Sequence, residues 1–401
     1  MFYMKMIRLI VCFFSLLFAF SAGAQTGSCQ LRISLLTCSP GAELYSTFGH
    51  TAIRVTDSTS GIDIVYNYGT FDDSDPDFYI KFTKGIMRYA LSNYSYQDFL
   101  REYQSEQRGV IEQALALTCD EKQRLYTALQ ENALEQNRYY NYYFHTDNCT
   151  TRARDMIVTK TGASVVFNNI LPEKRPSYRN LIHTYLDKGG EDWSKMGIDF
   201  VLGNNFDKKV TNEQAMFLPD YLMMGLDNAT ADQHTLVAQK QTVLAVTPVP
   251  SSFSLISPLF LFSALFVIMG LLSFSSNTWA QRAVNVLDCA FFLFLGIFGI
   301  LIVTLWTIRV DDVCRNNFNL LWALPTHFPV AFVVYFKWKW LQQYFRAVFV
   351  LTILFALVAW LLPQQFNATV IPVTAIILLR SYRRGNMGEL KKARQNKSRI
   401  N

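Results

Sequence analysis

Hydrophobic and polar positions divide this chain into three unlike parts. An apolar run from Leu9 to Phe20 follows Lys5 and Arg8 and ends in Ser21-Ala22-Gly23-Ala24. That positive, apolar, small-residue order predicts a cleaved secretory leader over residues 1–24. The run is short for an uncleaved span. Thr26-Gly27-Ser28 ahead of Cys29 lacks the aliphatic residue of a lipoprotein box. Residues 25–246 mix short periods and read as an α+β domain. Ile53–Val55 and Ile62–Tyr68 are β-rich and joined by Asp57-Ser58-Thr59-Ser60-Gly61, which predicts a hairpin. Helical character is expected over 96–108, a strand over Val110–Leu117, and an extended aromatic stretch over Arg138–Phe144. Thr118-Cys119-Asp120-Glu121 has capping-box order ahead of a helix to about Gln136. A further helix is expected from about Cys149, and Thr211-Asn212-Glu213-Gln214 caps another over Ala215–Met224.

Beyond Pro248-Val249-Pro250 the pattern becomes continuously apolar, with stretches near 253–273, 287–306, 318–336, 346–362 and 367–380. Most approach the roughly 20 residues that cross a bilayer, predicting an all-α five-span membrane domain over 247–380. With residues 25–246 outside, the inner segments carry twelve basic residues and the outer loops only Arg309 and Arg315. This follows the positive-inside rule and puts the tail, 381–401, in the cytoplasm. Asn316-Asn317, Asn319, Pro325, His327 and Pro329 mark the third stretch as a kinked helix beside a lipid-facing cleft.

Composition agrees with a membrane protein: 51% of residues are hydrophobic and 17% charged, against about a quarter charged in soluble domains. The net charge of +6 separates into −6 over residues 25–250 and +10 over 251–401. Basicity therefore belongs to the apolar half, and a nucleic-acid partner is excluded. No repeat, Walker loop or dinucleotide fingerprint is present.

Five cysteines would face outside: Cys29, Cys38, Cys119, Cys149 and Cys314, an odd number that leaves at least one without a partner in the chain. Cys149 lies in Asp147-Asn148-Cys149-Thr150-Thr151-Arg152, where an aromatic strand should turn into a helix. Asp147 or Asn148 can cap the first N–H groups, and a thiol in that turn is biased toward thiolate by the helix dipole. Such a nucleophile needs a base, and His50, His145, His183 and His234 are available. His50 follows Gly49 at the start of a strand. His145 stands four residues before Cys149, but no further ligand cluster supports a metal site.

Gly49-His50 on an early strand and Asn148-Cys149 at a helix start about a hundred residues later resemble permuted papain-like (NlpC-type) thiol enzymes. Further segments resemble the bacterial Lnb-type lipoprotein N-acyltransferases: Leu36–Tyr45 with Phe48-Gly49-His50, Tyr66–Phe71, Asp147–Arg152 and Met216-Phe217-Leu218-Pro219. The resemblance implies a periplasmic permuted papain-like thiol domain on five membrane helices in the bacterial inner membrane. It makes Cys149 the nucleophile and His50 the base. The third group, which orients His50, is Asn67 if the hairpin turns near Ser58–Ser60, with Glu43 and Asp147 as competitors; Asn148, Asp147 and Glu43 are the substrate or oxyanion candidates. Cys38 recurs in the resemblance as a structural cysteine, with Cys119 one conceivable partner. The implied reaction moves a fatty acyl chain from a phospholipid donor to the N-terminal amine of a diacylated lipoprotein through a Cys thioester. It needs no metal and no cofactor. A cell-wall amidase or endopeptidase using the same pair, or a non-enzymatic membrane scaffold, are the competing readings.

Overall fold

The computed structural model describes residues 29–71, 76–245 and 256–386. The expected leader and most of the basic tail lie outside the described residues. In chain order the front half contains β1 (Leu31–Cys38), β2 (His50–Asp57), β3 (Ile62–Thr70), α1 (Phe78–Lys84), β4 (Met87–Ser95) and α2 (Tyr96–Ser105). Then come β5 (Val110–Leu115), α3 (Cys119–Asn132), β6 (Tyr139–Tyr142), α4 (Cys149–Lys160), β7 (Val165–Phe167), α5 (Tyr178–Gly189) and α6 (Asp192–Val201). It closes with α7 (Asn212–Ala215), α8 (Pro219–Asp227), β8 (Ala229–Ala231), β9 (His234–Thr235) and β10 (Val237–Leu244). The apolar half contains α9 (Pro258–Phe274), α10 (Thr278–Ile308), α11 (His327–Ala331), α12 (Lys339–Val358) and α13 (Val370–Gly385).

A seven-stranded antiparallel sheet, ordered β10-β5-β1-β2-β3-β4-β6, organises the front half. β1 lies inside the sheet, between β5 and β2, and is buried at all but one position, because helices cover both faces. Ile33, Leu35, Ile53, Val55 and Tyr66 pack with Leu125 and Leu129 of α3 and Ala153 and Ile157 of α4. On the other face Leu36, Ala52 and Val65 pack with Phe99 and Tyr103 of α2. The β2–β3 hairpin forms as expected, and the Thr118–Glu121 capping box starts α3. The helix expected over Ala215–Met224 is two helices: Pro219 opens α8, and the residue before a proline is driven out of helical backbone.

A disulfide joins Cys29 to Cys119, pinning the approach to β1 against the start of α3. Cys38 is therefore not the partner of Cys119; it is a free, buried thiol at the end of β1.

In the apolar half, α10 (Thr278–Ile308) and the segment Lys339–Leu361 are long and apolar enough to cross a membrane, and Pro258–Phe274 is a shorter apolar helix. The third stretch corrects the sequence reading. Residues 318–336 do not form a kinked helix but a 3₁₀ turn over Phe318–Leu321, the short α11, and turns. Pro325 and Pro329 each remove a backbone donor and interrupt a regular helix. Room for this comes from α10: a Cβ on Gly299 would lie 2.2 Å from the Ala323 carbonyl, and one on Gly296 would lie 2.1 Å from the Phe328 nitrogen. Nor do the asparagines line a cleft. Asn317 and Asn319 are buried and donate to the Phe200 carbonyl at 2.8 and 3.1 Å, tying the third stretch to the end of α6. At the opposite end of the helices, Asp288 accepts from Arg380 and Arg384, all three buried.

The two halves share a polar seam. Gly203 N donates to Val313 O at 2.9 Å. Arg179, fully buried, donates to Asp207 and Asp199, and Asp199 also accepts from His183 and from Asn367 of the apolar half, each near 2.7–2.8 Å.

Candidate active site

The site lies at one end of the sheet, where β1 ends and β2 begins. Gly49 makes that turn with φ of +79°, a left-handed conformation, and a Cβ there would stand 2.6 Å from the Cys38 carbonyl. Only glycine fits without strain, so the turn delivers His50 to the first position of β2, opposite Cys38. Extending the β2–β3 register, in which Ile53 pairs with Tyr66, by one residue sets Asn67 beside Ala52, on the same face as His50. Asn67 Oδ1 and His50 Nε2 are hydrogen-bonded. The Asn67 amide donates in turn to Tyr94 Oη at 3.0 Å, and the Tyr94 hydroxyl donates to Glu102 at 3.3 Å.

Cys149 is the first residue of α4, and Asn148 is its cap: Oδ1 accepts from the N–H groups of Thr150 and Thr151, both at 2.9 Å. The Asn148 amide donates to the carbonyls of Phe144 and Phe217, both at 2.8 Å. Its side chain is thus fully engaged in placing the cysteine and offers no side-chain donor to an oxyanion. Asp147 forms a two-pronged ion pair with Arg152 at 2.7 and 2.8 Å, and Arg152 covers the Tyr140 ring, so this carboxylate does not orient His50. Glu43 is exposed and absent from the cavity lining; its backbone carbonyl instead accepts from Ser46 and Thr47. Asn67 is the one of the three proposed orienting groups that the fold brings to His50.

The other histidines are elsewhere. His145 is enclosed by the Tyr178 and Phe206 rings, His183 is on Asp199, and His234 is at the Ala116 carbonyl. Among the described residues no group of three or more His, Cys, Asp and Glu is arranged to hold a metal ion.

Cys149 is a free thiol, hydrogen-bonded to His50. Burial by itself drives the Cys149 pKa up, but the facing imidazole, its hydrogen bond, the Thr150 hydroxyl and the backbone of Thr51 outweigh burial and bring it below the ordinary 9.0. His50 moves in the opposite sense: burial lowers its pKa, the Cys149 charge and the hydrogen bonds of the ring to Cys149 and to Asn67 Oδ1 raise it, and the net is upward. Each shift favours the ionised form of its group, thiolate on Cys149 and imidazolium on His50. Cys38, only across the strand pair, shows the contrast. Burial pushes its thiol up to about 12, and it has no imidazole partner.

This pairing sets a pH dependence. Thiolate is present above the lowered cysteine pKa, and imidazolium persists below the raised histidine pKa. The alkylation rate of Cys149 by iodoacetamide is expected to rise with pH through an inflection below 9.0. In His50→Asn, where only the Thr150 and Thr51 hydrogen bonds still oppose burial, the inflection should move upward from its wild-type position. An unchanged inflection would mean the imidazole does not activate the sulfur.

Gly69 completes the site, with φ of +96°; a Cβ there would meet both the Cys149 Cβ at 3.6 Å and the His50 ring at 3.7 Å. The bare glycine leaves the face of the pair open to a cavity of about 300 Å³. Phe48, Phe71, Phe144, Phe217 and Leu218 line its apolar part, with Tyr103, Glu102 and Arg108 on the polar side. Sequence reasoning missed Tyr94, Glu102, Thr51 and Thr150. The repeated threonines beside His50 and Cys149 were the available signal, and their hydroxyls meet at 3.1 Å.

Fold and site together define a class: a thiol domain with an imidazole-paired cysteine at a helix start, mounted on an apolar helical base. Residues 23–183 match the family model described as the Lnb N-terminal periplasmic domain, and residues 250–387 match that of the Lnb transmembrane domain. The chain belongs to the Lnb-type family, as a lipoprotein-processing inner-membrane protein with a periplasmic N-terminal domain and a transmembrane domain. No curated protein and no solved structure matches it.

Proposed function

We propose that this protein is a lipoprotein N-acyltransferase working through a Cys149 thioester. The carrying observation is the free Cys149 at a capped helix start, paired with His50, which is itself held by Asn67. Cys149 Sγ attacks the carbonyl carbon of a phospholipid ester. The carbon–oxygen bond to the glycerol breaks, His50 passes the former thiol proton to the departing oxygen, and a lysophospholipid leaves. The α-amine of a diacylated lipoprotein's N-terminal cysteine then attacks the thioester carbon. The carbon–sulfur bond breaks, the amine's proton goes to His50 and on to the sulfur, and thiol and imidazole are restored. The Cys149 backbone N–H, at the first helical position, is the oxyanion donor. A thioester carries its own acyl-transfer potential, so the cycle needs no nucleotide, metal or other cofactor.

The membrane base supports this reading because donor and acceptor are both bilayer lipids, and a domain held at the surface meets them in two dimensions. The distribution of basic residues, concentrated in the segments away from the thiol domain, supports a cytoplasmic C-terminus. The direct test is to quench membranes with acid, digest them, and weigh the Cys149 peptide. A mass increase equal to a fatty acyl group, lost on hydroxylamine treatment, is the expected result. An unmodified peptide under turnover with donor alone would overturn the thioester route.

A further inference from the structure

The short helix α1 is fixed against the C-terminal end of α10, the end beside the thiol domain. Val310 N donates to Lys84 O at 3.0 Å, and Arg309 Nη1 donates to Phe82 O at 2.9 Å, two and one residues beyond the last helical residue, Ile308. Since α1 belongs to the periplasmic domain, this junction marks the outer surface of the membrane. The helix ends at Gly85, in left-handed backbone, where a Cβ would lie 3.0 Å from the Asp311 carboxylate, so the fit between α1 and the α10 terminus is close.

At that height α1 presents apolar surface that the fold does not cover. Ile80 is 56%, Phe82 58% and Ile86 40% exposed, and Val310 beside them 55%. Exposed large side chains grouped at a bilayer boundary mark a lipid contact. Lys84, also exposed, suits phosphate headgroups. From α1 a file of aromatic rings leads to the thiol. Phe82 stacks near Phe78 with centroids 6.5 Å apart, Phe78 lies 5.8 Å from Phe71, and Phe71 lies 5.2 Å from Tyr89. Phe71 and Tyr89 line the cavity that holds Cys149.

We propose that α1 is the lipid-loading element. Ile80, Phe82 and Ile86 seat it among the acyl chains of the outer leaflet, and a chain of the donor lipid travels over Phe78 and Phe71 to Cys149. Seating follows from the geometry alone, whereas the cargo rests on the acyl-transfer reading.

Two measurements on the full-length protein, reconstituted in vesicles of phosphatidylethanolamine and phosphatidylglycerol, separate these parts. In a Cys149→Ser background, a bimane on Phe82→Cys is expected to be quenched by lipids brominated near the headgroup. A bimane on Ser60→Cys, in the turn at the opposite end of β2, should not be. Equal, weak quenching at both positions would overturn seating. With Cys149 intact, the double substitution Ile80→Asp, Phe82→Asp is expected to lower acyl transfer from vesicle phospholipid by about tenfold or more. Iodoacetamide should still reach Cys149 at the wild-type rate, which shows the site intact. Undiminished transfer would overturn the loading role. Absence of transfer in the unsubstituted protein would overturn the acyl-transfer reading and the cargo with it, while quenching would still decide the seat.

Discussion

Cells carrying Cys149→Ala are expected to accumulate lipoproteins whose N-terminal cysteine keeps a free amine. Mass spectrometry of those N-termini should show the third acyl chain missing. Removing the nucleophile of a cooperating pair costs on the order of 10⁴-fold or more in rate, so residual transfer should fall below detection. The substitution is mild for the fold: Cys149 is a small side chain at the start of α4, and the Asn148 cap that holds the helix does not use the sulfur. Loss of product with normal protein levels would therefore report chemistry. Altered muropeptides with normal lipoproteins would point to a wall hydrolase built on the same pair, and no change in either pool would leave a scaffold.

Asp199→Ala is expected to produce the largest loss of stability. This carboxylate is buried and accepts from Arg179, His183 and Asn367, so it fastens α5 and α6 to the apolar half. Its removal leaves a buried guanidinium with Asp207 as its one carboxylate partner and takes an acceptor from the other two donors. Breaking a buried pair by removing one partner costs about 3–5 kcal/mol, which should appear as a clear drop in the thermal midpoint of the detergent-solubilised protein. Burial raises the Asp199 pKa, but the bonds from His183 and the Arg179 charge outweigh it and hold the group below the ordinary 3.8. A lowered carboxylate contributes fully above its unfolded value and loses that contribution as pH falls through the folded one. The wild-type advantage over Asp199→Ala should therefore be constant near neutral pH and shrink only in strong acid.

The parts of the site visible in the sequence were those written in local chemistry. A glycine before His50 and a cap before Cys149 each reveal backbone geometry within a few residues, and counting across one hairpin was enough to bring Asn67 to His50. Tyr94 and Glu102 were hidden because their place depends on β4 lying beside β3 and on α2 folding back over that face. The same limit applied to the cysteines, where pairing Cys29 with Cys119 requires knowing that α3 starts beside β1. In the apolar half, hydropathy located the third stretch but not its backbone. A sliding average registers the apolar side chains around Pro325 and Pro329 and is blind to the glycines of α10 that make space for a broken segment.

The bridge between Cys29 and Cys119 has a consequence for biogenesis. Both of its sulfurs precede Cys149 in the chain. A polypeptide exported N-terminus first presents them to the oxidising side before the reactive sulfur emerges. The order of the cysteines thus gives the stapling pair time to find each other first, and Cys149 arrives when Cys38 is the one earlier cysteine of the folded domain left free.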